Sequence, residues 1–392
     1  MCWFDKQLMR EKIVNEKSKI NHTFQTIFNG KSPPLIIRSP GRASIVGAHV
    51  DYNDGFVLPM AINRSVWMAV RPRDDQKVKV VSKNRDGIVE FALDSIDKGG
   101  PEWGEYIKGV AWAMQESGLD LRGWEGVINA DLPIGAGLSS SAALELAAAK
   151  AFSTLSEIPC DNTHISKLCH RAEREWVGMR CGIMDQLCIA SSKPGHALSI
   201  DCRSQEMNHI PLPSESTVII LDTTTRRELV DSQFNERRLE CEVAAKNFGV
   251  KALRDVNYEM FTEKESQMDP GIAKRAKHII TENERVLSTI EAMKNDDAVK
   301  VGRLMYSSYE SIKNNYDASS EALDCIVDCS VKMESCYGAG ITGAGFAGCA
   351  IALVRKSEVK QFISEVSKCY NHITGMNADI YECKPIGGVS LA

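Results

Sequence analysis

Residues 133–142 have the composition of an anion-binding loop. Gly135 and Gly137 let the backbone approach a ligand closely, and the stretch lies between a predicted strand and a predicted helix. Three serines fall at the cap and first turn of that helix: Ser139, Ser140 and Ser141. Because a helix N-terminus has unpaired N–H groups and partial positive charge, this "phosphate loop" predicts a site for phosphate. A glycine turn with an ordinary serine cap is the structural alternative.

The phosphate loop is not that of the P-loop NTPases, because no lysine stands where the G-x-x-x-x-G-K-[ST] pattern needs one. A second glycine run, at residues 343–348, matches G-x-G-x-x-G. A dinucleotide-binding loop leads from a strand into a helix, whereas the apolar residues 349–354 after this run predict a strand. We therefore reject the dinucleotide-binding interpretation. We interpret residues 343–348 instead as a turn, here called the second glycine turn, that can close over a ligand or over the phosphate loop.

The elements that must position these loops indicate an α+β fold. Strands are predicted at 35–38, 65–71, 78–82, 88–93, 124–130, 197–201, 218–222, 349–354 and 379–383. Helices are predicted at 103–115, 139–152, 164–176, 234–248, 272–293, 298–314 and 358–369. Strands, then helices, then strands without regular alternation favour α+β over a doubly wound sheet. Since 392 residues exceed the usual size of one core, we predict two domains, 1–205 and 206–392, divided near Pro211 and Pro213.

Composition excludes several classes of function. The 47 basic and 52 acidic residues give a net charge of −5, so no strong positive field attracts nucleic acid or an anionic membrane. No run of eighteen apolar residues predicts a membrane span. The 13 cysteines are odd in number and lack C-x-x-C spacing, so we expect free thiols in a cytosolic protein. We interpret Cys325, Cys329 and Cys336, which no histidine pair completes into a zinc pattern, as core thiols. The oligomeric state is not indicated.

Five segments in order resemble the GHMP kinase superfamily, and specifically its galactokinase branch. In chain order they are 39–53, 133–142, 181–186, 195–202 and 338–349. The similarity covers about residues 35–390 and is specific because five motifs keep their order and spacing. It implies ATP and Mg²⁺, transfer of the γ-phosphate to the C1 hydroxyl of a sugar, and a site between two α+β domains. The expected partners are thus a small sugar and ATP.

The resemblance implies that Asp185 is the catalytic base and that Arg42 pairs with it and stabilises the transferring phosphoryl group. Phosphoryl transfer needs charge neutralisation and alignment, and an adjacent guanidinium keeps a carboxylate ionised. Whether Asp185 acts as a true base stays open, because positioning alone can supply much of the rate. Outside this motif context, a lone Asp is more often a turn or cap residue and a lone Arg a surface ion pair.

Further residues follow from the same resemblance. Ser141 and Glu173 are implied as the Mg²⁺ ligands, which suits an ion that prefers oxygen. Trp103 and Tyr106 resemble the aromatic residues that line the adenine pocket. Taken alone, Glu173 would lie on a solvated helix face, and two aromatic residues spaced i, i+3 would be plain core.

Sugar recognition is implied for residues 47–53, here called the sugar motif. Asp51 resembles the acceptor for the C3 and C4 hydroxyls, His49 lies in the same motif, and Gly182 is retained nearby in the sugar site. Two positions depart from galactokinases. Ala48 stands where they carry a Glu that accepts from the C6 hydroxyl, and Phe234 stands where a Tyr is usual.

The exchange at Ala48 bears on the group at C6. A Glu there repels a C6 carboxylate, whereas Ala does not. The Gly-Ala-His variant is similar to that of plant galacturonokinases, and Arg180 matches an Arg that they carry. We predict a galactose-configured sugar altered at C6, with galacturonate the leading candidate and Arg180 its charge partner. Alternatively water fills the gap and galactose is the substrate, and arabinose and N-acetylgalactosamine are further alternatives.

A different class of protein is kept as an alternative: the sugar-sensing relatives of galactokinases, which bind sugar and ATP without turnover. Such proteins tend to lose part of the Ser-Ser-Ala run, which is intact here at residues 140–142. Arg42 and Asp185 are intact as well, so the sequence favours an enzyme. A mevalonate or homoserine kinase is disfavoured, because those enzymes lack the extended sugar motif.

Overall fold

The computed structural model describes residues 3–29, 34–159, 161–226 and 230–392. Its α-helices are α1 (Trp3–Phe28), α2 (Gly104–Glu116), α3 (Ser140–Leu155), α4 (Asn162–Arg171), α5 (Met184–Ser191), α6 (Val230–Phe248), α7 (Tyr258–Lys264), α8 (Pro270–Lys294), α9 (Ala298–Ser311), α10 (Glu321–Val331) and α11 (Val359–Thr374). Two π-helical turns, Ala172–Val177 and Ile312–Tyr316, continue α4 and α9, and Asp51–Asn53 is a 3₁₀ turn.

The strands form two sheets. They are β1 (Leu35–Val46), β2 (Phe56–Pro72), β3 (Lys77–Ser82), β4 (Ile88–Ala92), β5 (Trp124–Ala130), β6 (His196–Asp201), β7 (Met207–Pro211), β8 (Ser216–Asp222), β9 (Cys336–Ile341), β10 (Cys349–Arg355), β11 (Asp379–Cys383) and β12 (Ser390–Leu391). The first sheet has the order β12-β1-β2-β5-β3-β4, and β6 and β7 extend it from β2. The second has the order β11-β8-β10-β9. Only the β3–β5 pairing is parallel among these strands, and the predicted α+β class is confirmed.

Helix α3 explains how the phosphate loop is held in place. Its Ala-rich sequence lets it pack closely on β1 and β2, and its alanines from Ala142 to Ala151 are buried. Small side chains shorten the distance between helix and sheet, so the N-terminus of α3 is fixed beside the strand that carries Arg42. The geometry of the loop therefore depends on the core beneath it.

The structure extends or corrects several predicted elements. The glycine-rich turn expected at 338–349 is shorter, because its first residues belong to β9. The helices α1, α5, α7 and α10 and the strands β7, β9 and β12 were not predicted. The chain passes from the first sheet to the second between β7 and β8, near the proposed boundary, and β12 then returns to the first sheet. The division into domains 1–205 and 206–392 stays a prediction.

The expectation of free thiols is wrong for one pair, because Cys329 and Cys369 form a disulfide. The two cysteines are 40 residues apart, but α10 packs beside α11 and brings their Cα atoms to 5.9 Å. No local spacing pattern could indicate a contact that only the tertiary packing creates. Cys325 and Cys336, also expected to be core thiols, are free and half-buried.

The helices in the described parts of the chain include none that is both long and apolar enough to cross a membrane.

Candidate active site

A bidentate ion pair between Arg42 and Asp185 lies at the centre of the site. Arg42 is on β1 and Asp185 is in the first turn of α5. The guanidinium Nε donates to Oδ1 at 2.7 Å, and Nη2 donates to Oδ2 at 2.8 Å. The remaining nitrogen, Nη1, donates to the carbonyl oxygen of Gly137 at 2.7 Å, so one buried arginine joins the carboxylate to the phosphate loop. Two parallel charge-assisted bonds fix the orientation of both groups.

The phosphate loop presents the N-terminus of α3 without a side-chain cap. Gly135 and Gly137 have φ angles of +67° and +76°, and Ser139, just before the helix, has +60°. The hydroxyl of Ser139 donates to the carboxylate of Asp185 rather than bonding the helix N–H groups. Ser139 thus leaves those N–H groups uncapped within the described part of the chain, and their use by an anion stays a prediction.

The second glycine turn closes over the phosphate loop. A Cβ atom at Gly343 would overlap the carbonyl oxygen of Gly137, and one at Gly348 would lie 2.6 Å from that of Ala136. Strands β9 and β10 flank the turn, so it does not lead into a helix. The two loops are thus packed backbone against backbone, and their positions depend on one another.

Arg226 supplies a second guanidinium beside the phosphate loop, which no sequence motif indicated. Its Nε donates to the carbonyl oxygen of Ile134 at 3.1 Å, and its Nη atoms donate to Asp222 at 2.9 and 2.8 Å. Its side chain is 35% exposed, so it can also face a ligand. The only signal in the sequence is its place four residues after the end of β8.

Asp51 begins a 3₁₀ turn beside the ion pair. A Cβ atom at Gly182 would overlap its carboxylate, so only glycine allows this close approach. Burial and the carboxylate of Asp185 raise the pKa of Asp51 to about 6, although Arg42 and Arg238 act in the opposite direction. Asp51, Gly182 and Asp185 thus lie close together, and their role in sugar binding stays a prediction.

His49 and Phe234 lie side by side near the sugar motif. Their ring centroids are 5.4 Å apart, and the imidazole is also 4.7 Å from the ring of Tyr316. Both ring nitrogens of His49 have partners within the protein, Tyr52 and the carbonyl group of Ala344. Phe234 therefore places an apolar ring beside His49 and Tyr52.

Helix α8 holds the backbone of the sugar motif. The buried carboxylate of Glu282 accepts from the N–H of Gly47 at 2.7 Å and from the hydroxyl of Ser308 at 2.6 Å. His278 donates from Nε2 to the carbonyl oxygen of Ala48 at 3.1 Å. Burial lowers the pKa of His278 to about 4, so its ring is neutral. Nothing local to the sugar motif could predict contacts from a helix 230 residues away.

Arg180 lies at the edge of this region and is paired with another residue. Its Nη2 donates to Glu242 at 3.0 and 3.3 Å, and both side chains are about two-fifths exposed. Arg238 also bonds Glu242 and lies 5.8 Å from the ring of Tyr52. The role of Arg180 as partner of a C6 carboxylate stays a prediction.

Ser141 and Glu173 come together, as expected for two ligands of one metal ion. The hydroxyl of Ser141 donates to the carboxylate of Glu173, which lies on the π-helical turn after α4. The same carboxylate accepts from Gln186 at 2.6 Å and from the thiol of Cys181 at 3.3 Å. Burial, together with the charge of Asp185, raises the pKa of Glu173. Glu173 is therefore buried and does not lie on the solvated helix face expected for it alone, because the turn faces the phosphate loop.

Trp103 and Tyr106 lie at the start of α2. The indole N–H of Trp103 donates to the carbonyl oxygen of Asp86 at 3.0 Å, and both rings are half-buried. Helix α2 packs on the π-helical turn that carries Glu173, where Gly109 meets the ring of Trp176. Their place in an adenine pocket stays a prediction.

Comparisons with known proteins identify the family of the chain. Residues 22–72 match the galactokinase galactose-binding signature, residues 105–193 the GHMP kinases N-terminal domain, and residues 289–372 the GHMP kinases C-terminal domain. The chain is 37% identical over 379 residues to the galactokinase of Roseiflexus sp. (strain RS-1), covering 95% of this chain and 97% of that protein. It is 39% identical to the galactokinase of Haemophilus influenzae, covering 94% and 98%.

Solved structures give the same result. The crystal structure of Lactococcus lactis galactokinase complexed with galactose superposes with a TM-score of 0.92 at 30% identity, covering 95% of this chain and 98% of that one. The mevalonate kinase of Methanococcus jannaschii, at 19% identity and a TM-score of 0.64, shares the fold. The fold and its two matching domains are those of a GHMP kinase. Within that class the chain belongs to the galactokinase family, and it is therefore a sugar kinase that uses ATP.

Proposed function

We propose that this kinase transfers the γ-phosphoryl group of ATP to the C1 hydroxyl of a galactose-configured sugar. The observation that carries the proposal is the Arg42–Asp185 pair, which is bonded to the phosphate loop at Gly137 and lies near Asp51. A phosphoryl donor on the loop and a sugar on Asp51 would meet at this pair. That is the arrangement an in-line transfer needs.

Each residue of the pair has a separate task in the proposed reaction. The Asp185 carboxylate lies where it can accept the proton of the attacking hydroxyl, and Arg42 holds it in a single orientation through two parallel hydrogen bonds. The same guanidinium, next to the phosphate loop, stabilises charge on the transferring group. We expect Asp185→Asn to lower kcat by about 10²–10⁴-fold while the chain stays folded. A kcat within threefold of wild type would contradict this role.

Ser141 and Glu173 fit a Mg²⁺ ion. They offer a hydroxyl and a carboxylate side by side near the start of α3, and oxygen atoms are the ligands that Mg²⁺ prefers. Two protein ligands are enough, because Mg²⁺ in such sites takes its other ligands from phosphate and water. When bound, the ion would neutralise charge on the phosphates of ATP.

Galactose is our first candidate for the sugar. The family relationship supports it, and Arg180, the predicted partner of a C6 carboxylate, is already engaged by Glu242. Galacturonate is the second candidate, because the buried Ala48 removes the carboxylate that would repel it. Phe234 leaves a further part of the pocket apolar.

The test is ADP release with Mg²⁺ and ATP against galactose, galacturonate, arabinose and N-acetylgalactosamine. We expect the kcat/KM for galactose to exceed that for galacturonate by at least tenfold, about 1.4 kcal/mol. ³¹P NMR of the product should show phosphate on C1. A matched variant, Ala48→Glu, should widen the preference for galactose further. The new carboxylate would accept from the C6 hydroxyl of galactose and would repel the C6 carboxylate of galacturonate.

Two results would change the proposal. A tenfold lead for galacturonate would make Ala48 the specificity device and Arg180→Ala the next variant to test. ADP release that never exceeds the sugar-free background, with any of the four sugars, would contradict the proposed activity.

A further inference from the structure

The imidazole of His49 spans the space between the sugar motif and the second glycine turn. Its Nε2 lies 2.9 Å from the carbonyl oxygen of Ala344, and its Nδ1 lies 2.8 Å from the hydroxyl of Tyr52. The residue is 4% exposed and has a φ of +62°, a conformation that few side chains adopt. Both ring nitrogens are used inside the protein, and the bond to Ala344 joins segments 295 residues apart.

The partners of His49 define its tautomer. A carbonyl oxygen only accepts, so Nε2 carries the hydrogen and donates to Ala344. Burial lowers the pKa of His49 to about 3, so the ring is neutral and its Nδ1 accepts from Tyr52. Tyr52 in turn accepts from Tyr316 at 2.7 Å, and Tyr316 accepts from the thiol of Cys241 at 3.1 Å. The hydrogen-bond chain therefore has one direction, and it ends at Ala344.

The segment after Tyr316 supports the second glycine turn from another side. The carbonyl oxygen of Ala318 accepts from the N–H of Phe346 at 2.8 Å, and a Cβ atom at Gly345 would overlap it. Phe346 is buried, and its ring centroid is 6.5 Å from that of His49. The turn is thus held by His49 and by Ala318 on one side.

On its other side the turn meets the phosphate loop. Gly343 and Gly348 pack on the backbone of Gly137 and Ala136, without room for a methyl group. A shift of the sugar motif would move His49, then the turn, and then the loop, because each contact is between rigid backbone or buried groups.

We propose that His49 is a positioning residue that couples sugar binding to nucleotide binding through its hydrogen bond to Ala344. The inference rests on the proposed function, which puts the sugar at Asp51 and the phosphates at the loop. His49 then acts on the protein backbone instead of on a sugar hydroxyl. Each ligand tightens the binding of the other by the same factor, as thermodynamic linkage requires.

The experiment measures that factor by calorimetry on the full chain. Galactose affinity is determined without nucleotide and with saturating Mg²⁺ and a non-hydrolysable ATP analogue, and the nucleotide affinity is then measured with and without galactose. If the wild-type chain prefers galacturonate in turnover, that sugar replaces galactose as the probe.

We expect a coupling factor of about 5 to 150 for the wild type. The amide of His49→Asn can reach Tyr52 but is too short to reach Ala344, so this variant should have a coupling factor close to one. His49→Gln places an amide near the Nε2 position and should restore most of the coupling.

The outcomes separate this inference from the proposed function. A wild-type chain that binds neither ligand contradicts the proposed function, whereas one that binds both without coupling overturns only the role of His49. The proposed role of His49 is also overturned if the folded His49→Asn variant has the same coupling factor as the wild type. If that variant does not fold, His49→Gln decides: a factor near the wild-type value in this variant supports the proposal, and a factor near one overturns it, because its amide keeps a donor near Ala344.

Discussion

Asp51 illustrates how burial at a single residue can produce a pH dependence. Burial and Asp185 raise its pKa to about 6, and a sugar hydroxyl binds best to the ionised carboxylate. The charged form is present above this pKa and is lost as the pH falls through it. We expect the KM for the sugar to rise about tenfold between pH 7.5 and pH 5.

Steady-state kinetics across this range, at saturating Mg²⁺ and ATP, would test the effect of Asp51. Asp51→Asn serves as the control, because it should bind the sugar weakly with a KM that is flat over the same range. A wild-type KM that does not change below pH 6 would show that Asp51 does not accept from the sugar in its ionised form.

For single residues, what the sequence revealed depended on whether a contact was local. The phosphate loop could be predicted because its glycines, serines and helix start are contiguous. Arg226 and Glu282 could not, because each acts on backbone that lies 92 or 235 residues away. The Arg42–Asp185 pair spans 143 residues, and only the family resemblance brought its two members together in advance.

Among the elements, the second glycine turn makes a strict steric demand. Gly343 has a φ of +79°, and a Cβ atom there would overlap the backbone of Gly137. We expect Gly343→Ala to displace the phosphate loop and raise the KM for ATP by tenfold or more. The matched control is Gly375→Ala, which has a φ of +72° and open space around it. It should cost only the backbone strain, about 1–2 kcal/mol of folding free energy, and leave the KM for ATP unchanged.

Comparison of the two variants separates strain from contact. If both raise the KM for ATP equally, the effect is a general loss of stability, and the close packing of the turn on the loop is not what matters.

Because a disulfide joins α10 to α11, we expect the thermal stability of the protein to depend on reductant. It closes a loop over a sequence separation of 40, which stabilises a chain by about 3–4 kcal/mol through the unfolded state. We expect dithiothreitol, or Cys329→Ser, to lower the unfolding midpoint. Cys325→Ser, one helical turn earlier on α10, should leave it unchanged, because that cysteine is free. A midpoint that is insensitive to reductant in scanning calorimetry would contradict a stabilising disulfide.

Element prediction succeeded where the pattern was strong and failed where tertiary context decided. Strands β5 and β11 have the predicted bounds, since apolar and β-branched residues between turn residues indicate a strand without ambiguity. The glycine-rich β9 was expected to be a turn, and it is a strand because it pairs with β10 along its length. Short elements such as α5 and β12 have too few residues for a period to be visible.

For the whole molecule, the last residues of the chain join the two sheets. The chain leaves β11 in the second sheet and ends with β12, which pairs with β1 at Ile37 and Arg38 in the first. On the way the N–H of Ile386 donates to the carbonyl oxygen of Ala61 at 3.1 Å, and that of Val389 donates to Ile189 at 2.8 Å. This connection could not be predicted from the sequence, because it consists mainly of backbone bonds to distant strands.

The C-terminal connection leads to a prediction about cooperativity. Deleting residues 386–392 removes these bonds and the fully buried side chain of Ile386, whose loss alone costs about 2–5 kcal/mol. We expect scanning calorimetry to show a lower midpoint and a transition split in two, because the first sheet then loses its edge strand and one of its connections to the second. Leu391→Ala is the matched control: the side chain is 47% exposed, so the backbone pairing of β12 should persist and the wild-type transition with it. If the deletion variant unfolds in one transition at the wild-type midpoint, then the packed interface around the phosphate loop, rather than the terminal strand, holds the two sheets together.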